Sequence, residues 1–278
     1  MAGTDAIVDT YLLAHREFRR GSQAHTRTGW RASSLGYCPR RQVYERVGVP
    51  KPDVDVKTLR TFAYGDMVHD WLKGILRRSG MLLAEEGTLA WPERQLKGHY
   101  DVLLASSPEP VEAIPAEVAA DWSQEWVAFL GELRRGIQQA IGANLHGTVL
   151  GEIKSMHSRA IKYAYEQGPQ KGHTYQVGAY WLMAKADPTQ LPAVPDTARL
   201  IYVGKDASGI LDFGMEAAWA ERAEERLALL NDVWGRWALP PCICGTEGEL
   251  PSRYCAYYDE QAKACCSPAL MPGERGEA

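Results

Sequence analysis

Several features that would place this chain of 278 residues in a familiar class of protein are missing from its sequence. No apolar run approaches the roughly 18 residues of a membrane-spanning helix, which excludes a helical membrane span. No Gly-x-x-x-x-Gly-Lys-Ser/Thr phosphate loop is present, which excludes a motor of the common ATP-driven type. The N-terminus lacks a basic stretch followed by an apolar stretch, so we expect a cytoplasmic protein rather than an exported one.

An excess of positive charge is also absent. The formal net charge is −4, so the overall charge gives no sign of nucleic-acid binding. Local basic strips can still bind nucleic acid in a protein that is acidic overall. Apolar residues make up 45% of the chain and charged residues 24%, which is typical of a globular protein. The length suits one elaborated α/β domain or two small ones.

Cysteine is scarce except near the C-terminus, where five of the six cysteines fall within positions 242–266. In a reducing cytoplasm such clustered thiols favour metal binding over disulfides. Steric limits allow about one ligand from each close pair, so four thiolates are available, the number that zinc or a 4Fe–4S cluster needs. Four combinations remain open. The preferred ligands are Cys38, Cys244, Cys255 and Cys265, with Cys242 and Cys266 as alternates.

Hydrophobic periodicity and capping residues predict an α/β order of elements. Helices are predicted over 5–20, 57–79, 171–186 and 216–237, and the stretch from Ser33 to Arg41 leads into a short helix that Gly48 ends. Strands are predicted over 96–104 and 149–155, and a β-hairpin pairs 199–203 with 210–214. The segment 105–148, with a helix predicted around 116–141, separates two of these strands. We favour a surface helix packed on the sheet, with a flap over the active site as the alternative.

A carboxylate and an ammonium group alternate with an apolar side chain on the second predicted strand. The two-residue period sends Glu152 and Lys154 to one face and Ile153 to the core. Such a carboxylate can hold a divalent cation, and the lysine can position water or offset charge that develops on a phosphate. A surface ion pair would have the same spacing.

Two further residues could complete a metal site. Asp101 begins an apolar run on the preceding strand, and with Glu152 it supplies the hard oxygen donors that Mg²⁺ or Mn²⁺ prefers. His69 is either a core histidine or a third ligand that would favour Mn²⁺. It lies on the apolar stripe of its helix with Phe62, Gly65, Leu72 and Leu76.

A pair of polar residues follows on the helix predicted over 171–186. Gln176 and Tyr180 are four residues apart and therefore share a face. They could hold a phosphate or the attacking water near the metal, or they could belong to an ordinary amphipathic helix. His173, one turn earlier, could join them or face solvent.

The order of these residues resembles a known family. The patterns are Ser34-x-x-x-Cys38-Pro39-Arg40, Gly65-x-x-x-His69, Gly98-His99-Tyr100-Asp101, Gly151-Glu152-Ile153-Lys154 and Gln176-x-x-x-Tyr180, followed by the terminal cysteines. This series resembles the RecB-like branch of the PD-(D/E)XK nuclease superfamily. Within it, the chain is most similar to the iron–sulfur exonucleases found beside CRISPR systems and in bacteriophages, which are related to the AddB nuclease domain. The resemblance covers about 33–266, apart from 105–148.

The resemblance implies a restriction-endonuclease-like core with a central mixed β-sheet flanked by helices. It implies a 4Fe–4S cluster that joins the N-terminal and C-terminal segments. A Mg²⁺ or Mn²⁺ ion would be bound by His69, Asp101, Glu152 and the carbonyl of Ile153. Lys154 would be the catalytic lysine, with Gln176 and Tyr180 as the supporting catalytic pair.

The resemblance also implies a substrate and a setting. The substrate would be DNA, as single strands or ends, cut by an exonuclease. Partners would be recombination or CRISPR-adaptation proteins, and the setting would be the cytoplasm of a bacterium, an archaeon or a phage-infected host cell. A non-catalytic DNA-end-binding or assembly module of the same fold, and a zinc-stapled structural protein, are the alternatives. The intact set of Asp101, Glu152 and Lys154 favours the nuclease.

The expected organisation is a single nuclease domain over residues 1–266. It would comprise a helical N-terminal part (1–80), a core (81–215) with the insertion 105–148, and a C-terminal helix with the cysteine segment (216–266). A mobile tail, 267–278, would follow.

Overall fold

A computed structural model describes most of the chain: residues 4–22, 28–49, 51, 53–105, 147–206 and 209–243, and the shorter pieces 123–125, 128, 132, 136, 255, 257–259 and 264–265. The helices in this part are α1 (Thr4–Ser22), α2 (Pro39–Val47), α3 (Val56–Arg78), α4 (Ser158–Gln167), α5 (Lys171–Ala186) and α6 (Ala217–Gly235). The strands are β1 (Trp30–Arg31), β2 (Leu82–Trp91), β3 (Leu96–Ala105), β4 (Thr148–Met156), β5 (Thr197–Gly204), β6 (Ile210–Gly214), β7 (Tyr258–Asp259) and β8 (Ala264–Cys265).

Strand β3 is the centre of a mixed six-stranded sheet with the order β1-β3-β4-β5-β6. Strand β2 runs antiparallel to β3 along 96–104 and occupies one of its edges. The other edge is shared, because β1 pairs with residues 96–97 in parallel and β4 pairs with 102–105 in antiparallel orientation. Residues 98–101 therefore lie between two neighbouring strands, at a gap in the sheet. Strands β4 and β5 are parallel, and β5 and β6 form an antiparallel hairpin.

Helices cover both faces of the sheet, which confirms the predicted central mixed sheet flanked by helices. One face, with Leu103 and Leu150, packs on α5 and α6 in a large apolar cluster. The opposite face, with Val102 and Ile153, packs on α3 in a smaller cluster. Each fully buried aliphatic side chain contributes about 1.5–3 kcal/mol relative to exposure, so these two clusters supply the main driving force for this architecture.

Local signals set the helix ends near the site. Helix α2 begins with Pro39, whose missing N–H costs nothing at a helix start, and ends at Gly48, which has a left-handed φ of 80°. Helix α3 begins after Asp55, whose carboxylate accepts a hydrogen bond of 2.7 Å from the Thr58 N–H. The start of α3 and the Gly48 stop of α2 agree with the sequence prediction.

The remaining predicted helices and strands agree with the structure to within a few residues, apart from three points. The sequence analysis predicts neither helix α4 nor strands β1, β2, β7 and β8; in β2, the glutamates and Gly87 interrupt the apolar alternation. Phe62 was assigned to the buried stripe of α3, but 56% of it is exposed. Most of the insertion 105–148, including most of the helix predicted there, and the tail 267–278 fall outside the described residues. The described helices include none with the length and apolarity of a membrane span.

Helix α5 approaches α6 closely at Gly178. A methyl group at this position would overlap the backbone carbonyl of Trp219 at the start of α6. We expect Gly178→Ala to lower the free energy of unfolding by roughly 1–3 kcal/mol, because two helix backbones would have to separate. Chemical denaturation measures this change.

Gly74 in α3 provides the matched control. A methyl group there would meet only the guanidinium of Arg78, at 4.0 Å. Gly74→Ala should therefore be neutral or stabilising by about 0.5–1 kcal/mol, as for an unhindered helical glycine. Equal effects of the two substitutions would contradict the close approach of α5 and α6.

Candidate active site

The regular alternation of strand β3 is interrupted at Asp101. Tyr100 and Leu103 both belong to the cluster on the α5 side, whereas Val102 belongs to the cluster on the α3 side. On the neighbouring strand β2, Glu86 has a left-handed φ of 51°. Irregular strand geometry of this kind re-aims side chains and is common next to active sites. Asp101 lies where β3 and β4 part, directly before the first paired residue, Val102.

The Asp101 carboxylate connects three elements. Its Oδ2 accepts a hydrogen bond of 2.6 Å from the backbone N–H of Ile153 on β4. Its Oδ1 lies 3.6 Å from Nδ1 of His69 on α3. Burial alone would lower the pKa of His69, but its hydrogen bond to Asp101 and the charge of that carboxylate outweigh burial and raise this pKa. Strands β3 and β4 and helix α3 thus meet at the Asp101 carboxylate.

Glu152 lies beside this group and is only 3% exposed. Its Oε1 accepts hydrogen bonds from Nζ of Lys154 and, at 2.7 Å, from Nε2 of Gln176. Its Oε2 is buried and meets no donor within the described part of the chain. Burial raises the pKa of Glu152 to about 7, against the opposing charge of Lys154. A buried carboxylate oxygen without a donor is unfavourable unless a cation satisfies it.

Lys154 is the cationic residue of the site. Burial would lower its pKa, but the charge of Glu152 and the hydrogen bond to it prevail and raise that pKa. The ammonium group therefore remains charged at neutral pH. One quarter of the side chain, 25%, is exposed, so Lys154 joins the buried carboxylates to the solvent side of the site.

Gln176 and Tyr180 hold the carboxylates from helix α5. Nε2 of Gln176 donates to Glu152 and also to the Tyr180 hydroxyl, at 2.7 Å in both cases. The Tyr180 hydroxyl donates in turn to the carbonyl of His99, at 2.5 Å, in the gap on the edge of β3. Gly98 permits this approach, because a methyl group there would overlap the Tyr180 ring. Both polar side chains are buried, so in this arrangement they orient Glu152.

Two other residues lie next to Lys154. His173 is within 2.8 Å of the Tyr202 hydroxyl, and burial, together with the charge of Lys154, lowers the pKa of His173 to about 3. Tyr37 also enters the electrostatic surroundings of Lys154. Sequence reasoning did not select Tyr37, and its only signal was its position directly before Cys38. The loop that carries Tyr37 lies more than 100 residues before Lys154 in the sequence.

The structure brings the thiols of distant segments together. Cys38 is buried in a small cluster with Tyr44 and Tyr257, and Cys242 and Cys255 pack against this cluster. The backbone N–H of Ile243 lies 3.5 Å from Sγ of Cys38 and donates to it. The sequence analysis gives Cys242 only as an alternate ligand, yet in the structure Cys242 packs against the side chains around Cys38. Cys244 and Cys266 fall outside the described residues, and only the backbone of Cys265 is described, in β8.

Polar contacts fasten the same two segments. Nε of Arg40 donates to the carbonyl of Pro240 at 2.7 Å. The Tyr257 hydroxyl donates to the carbonyl of Val49 at 3.0 Å. The segment after α6 and the α2 region are therefore joined around Cys38, independently of any bound metal.

The combined arrangement is two buried carboxylates, an imidazole and an ammonium group at a gap in the sheet. Among the residues that the structure describes, no three His, Cys, Asp or Glu side chains lie at a spacing that could hold a metal ion. What the site offers is an uncompensated carboxylate oxygen next to a second carboxylate. This chemistry suits a divalent cation and an anionic substrate.

Comparison with known proteins gives structural similarities only. No protein-family model matches the sequence, and no curated protein matches it. The crystal structure of SSO0001 aligns with a TM-score of 0.49 and 15% identity, over 90% of this chain and 94% of that chain. An alkaline exonuclease from Laribacter hongkongensis, LHK-Exo, aligns with a TM-score of 0.44 and 10% identity, over 76% of this chain and 90% of that chain. Similarity at this level says nothing about the chemistry of the site.

Proposed function

We propose that this chain is a metal-dependent deoxyribonuclease that hydrolyses phosphodiester bonds, acting as an exonuclease on single-stranded DNA or DNA ends. The buried Oε2 of Glu152, which no donor satisfies among the described residues, is the observation that carries this proposal. Its neighbour Asp101 is 9% exposed, so two carboxylates are withdrawn from water beside a charged lysine. Folding would not favour this arrangement without a cation to compensate it.

The chemical types of the donors present suit Mg²⁺ or Mn²⁺. His69, Asp101, Glu152 and the carbonyl of Ile153 would hold the ion. Carboxylate and carbonyl oxygens are the ligands of hard divalent cations, and an imidazole among them favours Mn²⁺. When bound, such an ion polarises a phosphoryl oxygen and makes a bound water more acidic.

The protein's own groups would do the rest. Lys154, fixed by Glu152 and partly exposed, would offset the negative charge that develops on the phosphate. Gln176 keeps Glu152 in one orientation, and Tyr180 anchors Gln176 to the edge of β3. A carboxylate held from two sides loses little conformational freedom when it binds a cation, which favours precise positioning.

The thiols support a second element of the proposal, a 4Fe–4S cluster that joins the ends of the fold, with zinc as the alternative. Cys38, Cys242 and Cys255 would be three of its ligands, and Cys265 would be the fourth. Convergence of Cys38, Cys242 and Cys255 in one apolar cluster is the supporting observation. Four thiolates would satisfy either metal group.

A cleavage assay tests the nuclease directly. End-labelled single- and double-stranded DNA would be incubated with the protein in Mn²⁺, in Mg²⁺ and in EDTA. We expect mononucleotides or short products from the single strands with either ion, faster with Mn²⁺, and none in EDTA. Binding of DNA ends without any cleavage in either ion would instead establish the non-catalytic module and end this proposal.

A further inference from the structure

Tyr37 lies on a loop that packs against the start of α5, the helix that carries Gln176, and this loop is held from several directions. Its carbonyl accepts hydrogen bonds from Nε2 of Gln42 at 3.0 Å and from Nη1 of Arg226 at 2.7 Å. Gly36, directly before it, touches the start of α5, because a methyl group at Gly36 would overlap the backbone of Gly172. The loop is thus fixed by α2, α5 and α6 at once. Tyr37 therefore has a defined position.

The ring of Tyr37 is held as well. The guanidinium of Arg41 lies over it, 3.8 Å from the ring centroid. Arg41 is itself fixed, because its Nε donates at 3.0 Å to Glu45, whose carboxylate also binds Lys51 at 2.6 Å. A cation stacked on an aromatic face restrains the ring and lends the surroundings positive charge.

The hydroxyl of Tyr37 differs from those of the other tyrosines near the site. The hydroxyls of Tyr180, Tyr202 and Tyr257 each make hydrogen bonds within the protein. In the described part of the chain, nothing donates to the Tyr37 hydroxyl or accepts from it, although the residue is partly buried. A phenol that is held in place, and whose hydroxyl has no acceptor among the described residues, can donate its hydrogen bond to a ligand.

The charges around Tyr37 indicate which ligand. Lys154 is close enough for the two side chains to interact electrostatically, and Arg41 covers one face of the ring. A hydroxyl donor with a guanidinium over its ring and an ammonium group within electrostatic reach favours an anion as acceptor. In a nucleic-acid strand, that anion is a backbone phosphate.

We propose that Tyr37 is a substrate-binding residue, whose hydroxyl donates a hydrogen bond to the strand's phosphate next to the one that is cleaved. This inference rests on the proposed nuclease function and extends it to the loop before Cys38. In this arrangement Lys154 faces the scissile phosphate, and Tyr37 binds the adjacent phosphate of the same strand. The strand is then fixed at two adjacent phosphates, which sets the register of cleavage.

Tyr37→Phe tests this role, because it removes the hydroxyl and keeps the ring under Arg41. The probe is a fluorescently labelled single-stranded oligonucleotide, bound by anisotropy to the Glu152→Gln protein and cleaved by the otherwise unaltered protein in Mn²⁺. We expect Kd and KM to rise about tenfold or more, as for loss of a hydrogen bond to a charged acceptor. The value of kcat and the melting temperature should stay close to those of the parent. Tyr163→Phe, at a tyrosine that is 61% exposed on α4, is the control and should change neither constant.

The outcomes separate this inference from the nuclease itself. Unchanged Kd and KM in Tyr37→Phe overturn the substrate-binding role. A lower melting temperature and lower kcat with unchanged KM also overturn it, since they indicate a structural role. If the parent binds the oligonucleotide but never cleaves it, the nuclease fails, and the anisotropy difference between parent and Tyr37→Phe still decides the binding role.

Discussion

Glu152→Gln is expected to abolish DNA cleavage, with kcat reduced by a factor on the order of a thousand or more. Loss of a single electrostatic stabiliser already costs about 10²–10³ in kcat, and this substitution would also weaken the cation. The amide can keep a hydrogen bond with Gln176, so the surrounding network is preserved. The measurement is single-turnover cleavage of a labelled oligonucleotide in Mn²⁺.

Folding of the Glu152→Gln protein should be intact, and without a divalent cation its stability should match or exceed that of the parent. Burial raises the pKa of Glu152 to about 7, above its ordinary value of 4.5. The folded parent therefore holds this proton more tightly than the unfolded chain does. Its free energy of unfolding should fall as pH rises from about 4.5 to about 7, and level off above that. Glutamine removes this contribution, which thermal melts in EDTA at several pH values would show.

Cation binding gives a second readout of the same substitution. Mn²⁺ in hundredfold excess over its Kd should stabilise the parent by about 2.7 kcal/mol, because it binds the folded state alone. The Glu152→Gln protein should gain little. Glu166→Gln, at a carboxylate on α4 that is 51% exposed, is the control and should keep both cleavage and the Mn²⁺ shift. Full activity in Glu152→Gln would eliminate the proposed mechanism.

Cys38→Ser is expected to remove the proposed iron–sulfur cluster and to lower stability sharply. A ligand set that includes Cys38 and Cys255 closes a loop of more than 200 residues. In the loop-closure model, such a link contributes about 5 kcal/mol by restricting the unfolded chain. Its loss should lower the melting temperature by about 10 °C or more for a protein of this size. Iron analysis, visible absorbance and thermal melts of anaerobically purified protein provide the measurements.

The same experiment identifies the ligands. A protein with an iron–sulfur cluster is expected to be brown. Cys255→Ser and Cys242→Ser should also remove this colour, because both residues pack against the apolar side chains around Cys38. Loss of colour in Cys242→Ser would identify Cys242 as a ligand, in place of Cys244, which the sequence analysis prefers. A colourless parent with one zinc per chain would replace the iron–sulfur cluster by the zinc alternative. Full iron content in Cys38→Ser would remove this residue from the ligand set.

The sequence predicted which residues make up the candidate active site, but it did not predict how they are arranged. Asp101, Glu152, Lys154 and Gln176 were selected because carboxylates, a lysine and an amide recur at strand and helix spacings. The functions of Asp101 and Glu152 could not be told apart, since each is one polar residue on an apolar strand. Their difference arises in three dimensions. Asp101 binds the backbone of β4 and faces His69, whereas Glu152 keeps one oxygen without a donor.

The irregular geometry could not be predicted at all. The alternation along β3 is interrupted at Asp101, and the neighbouring strand β2 has a left-handed backbone at Glu86. The gap along 98–101 exists because two strands share one edge of β3. No local pattern encodes either feature. Strand β2 was missed for the same reason, since its apolar residues do not alternate regularly.

The sequence by itself determined most of the described helices, strands β3 to β6, their main end points and the residue types available for chemistry. These depend on periodicity, capping and backbone preferences that act within a few neighbouring positions. Only the tertiary structure decided that Glu152 is buried with an unsatisfied oxygen, that Cys242 joins Cys38, and that Tyr37 interacts electrostatically with Lys154. Those contacts join segments from about 100 to 200 residues apart, and they follow from how the sheet and its covering helices pack.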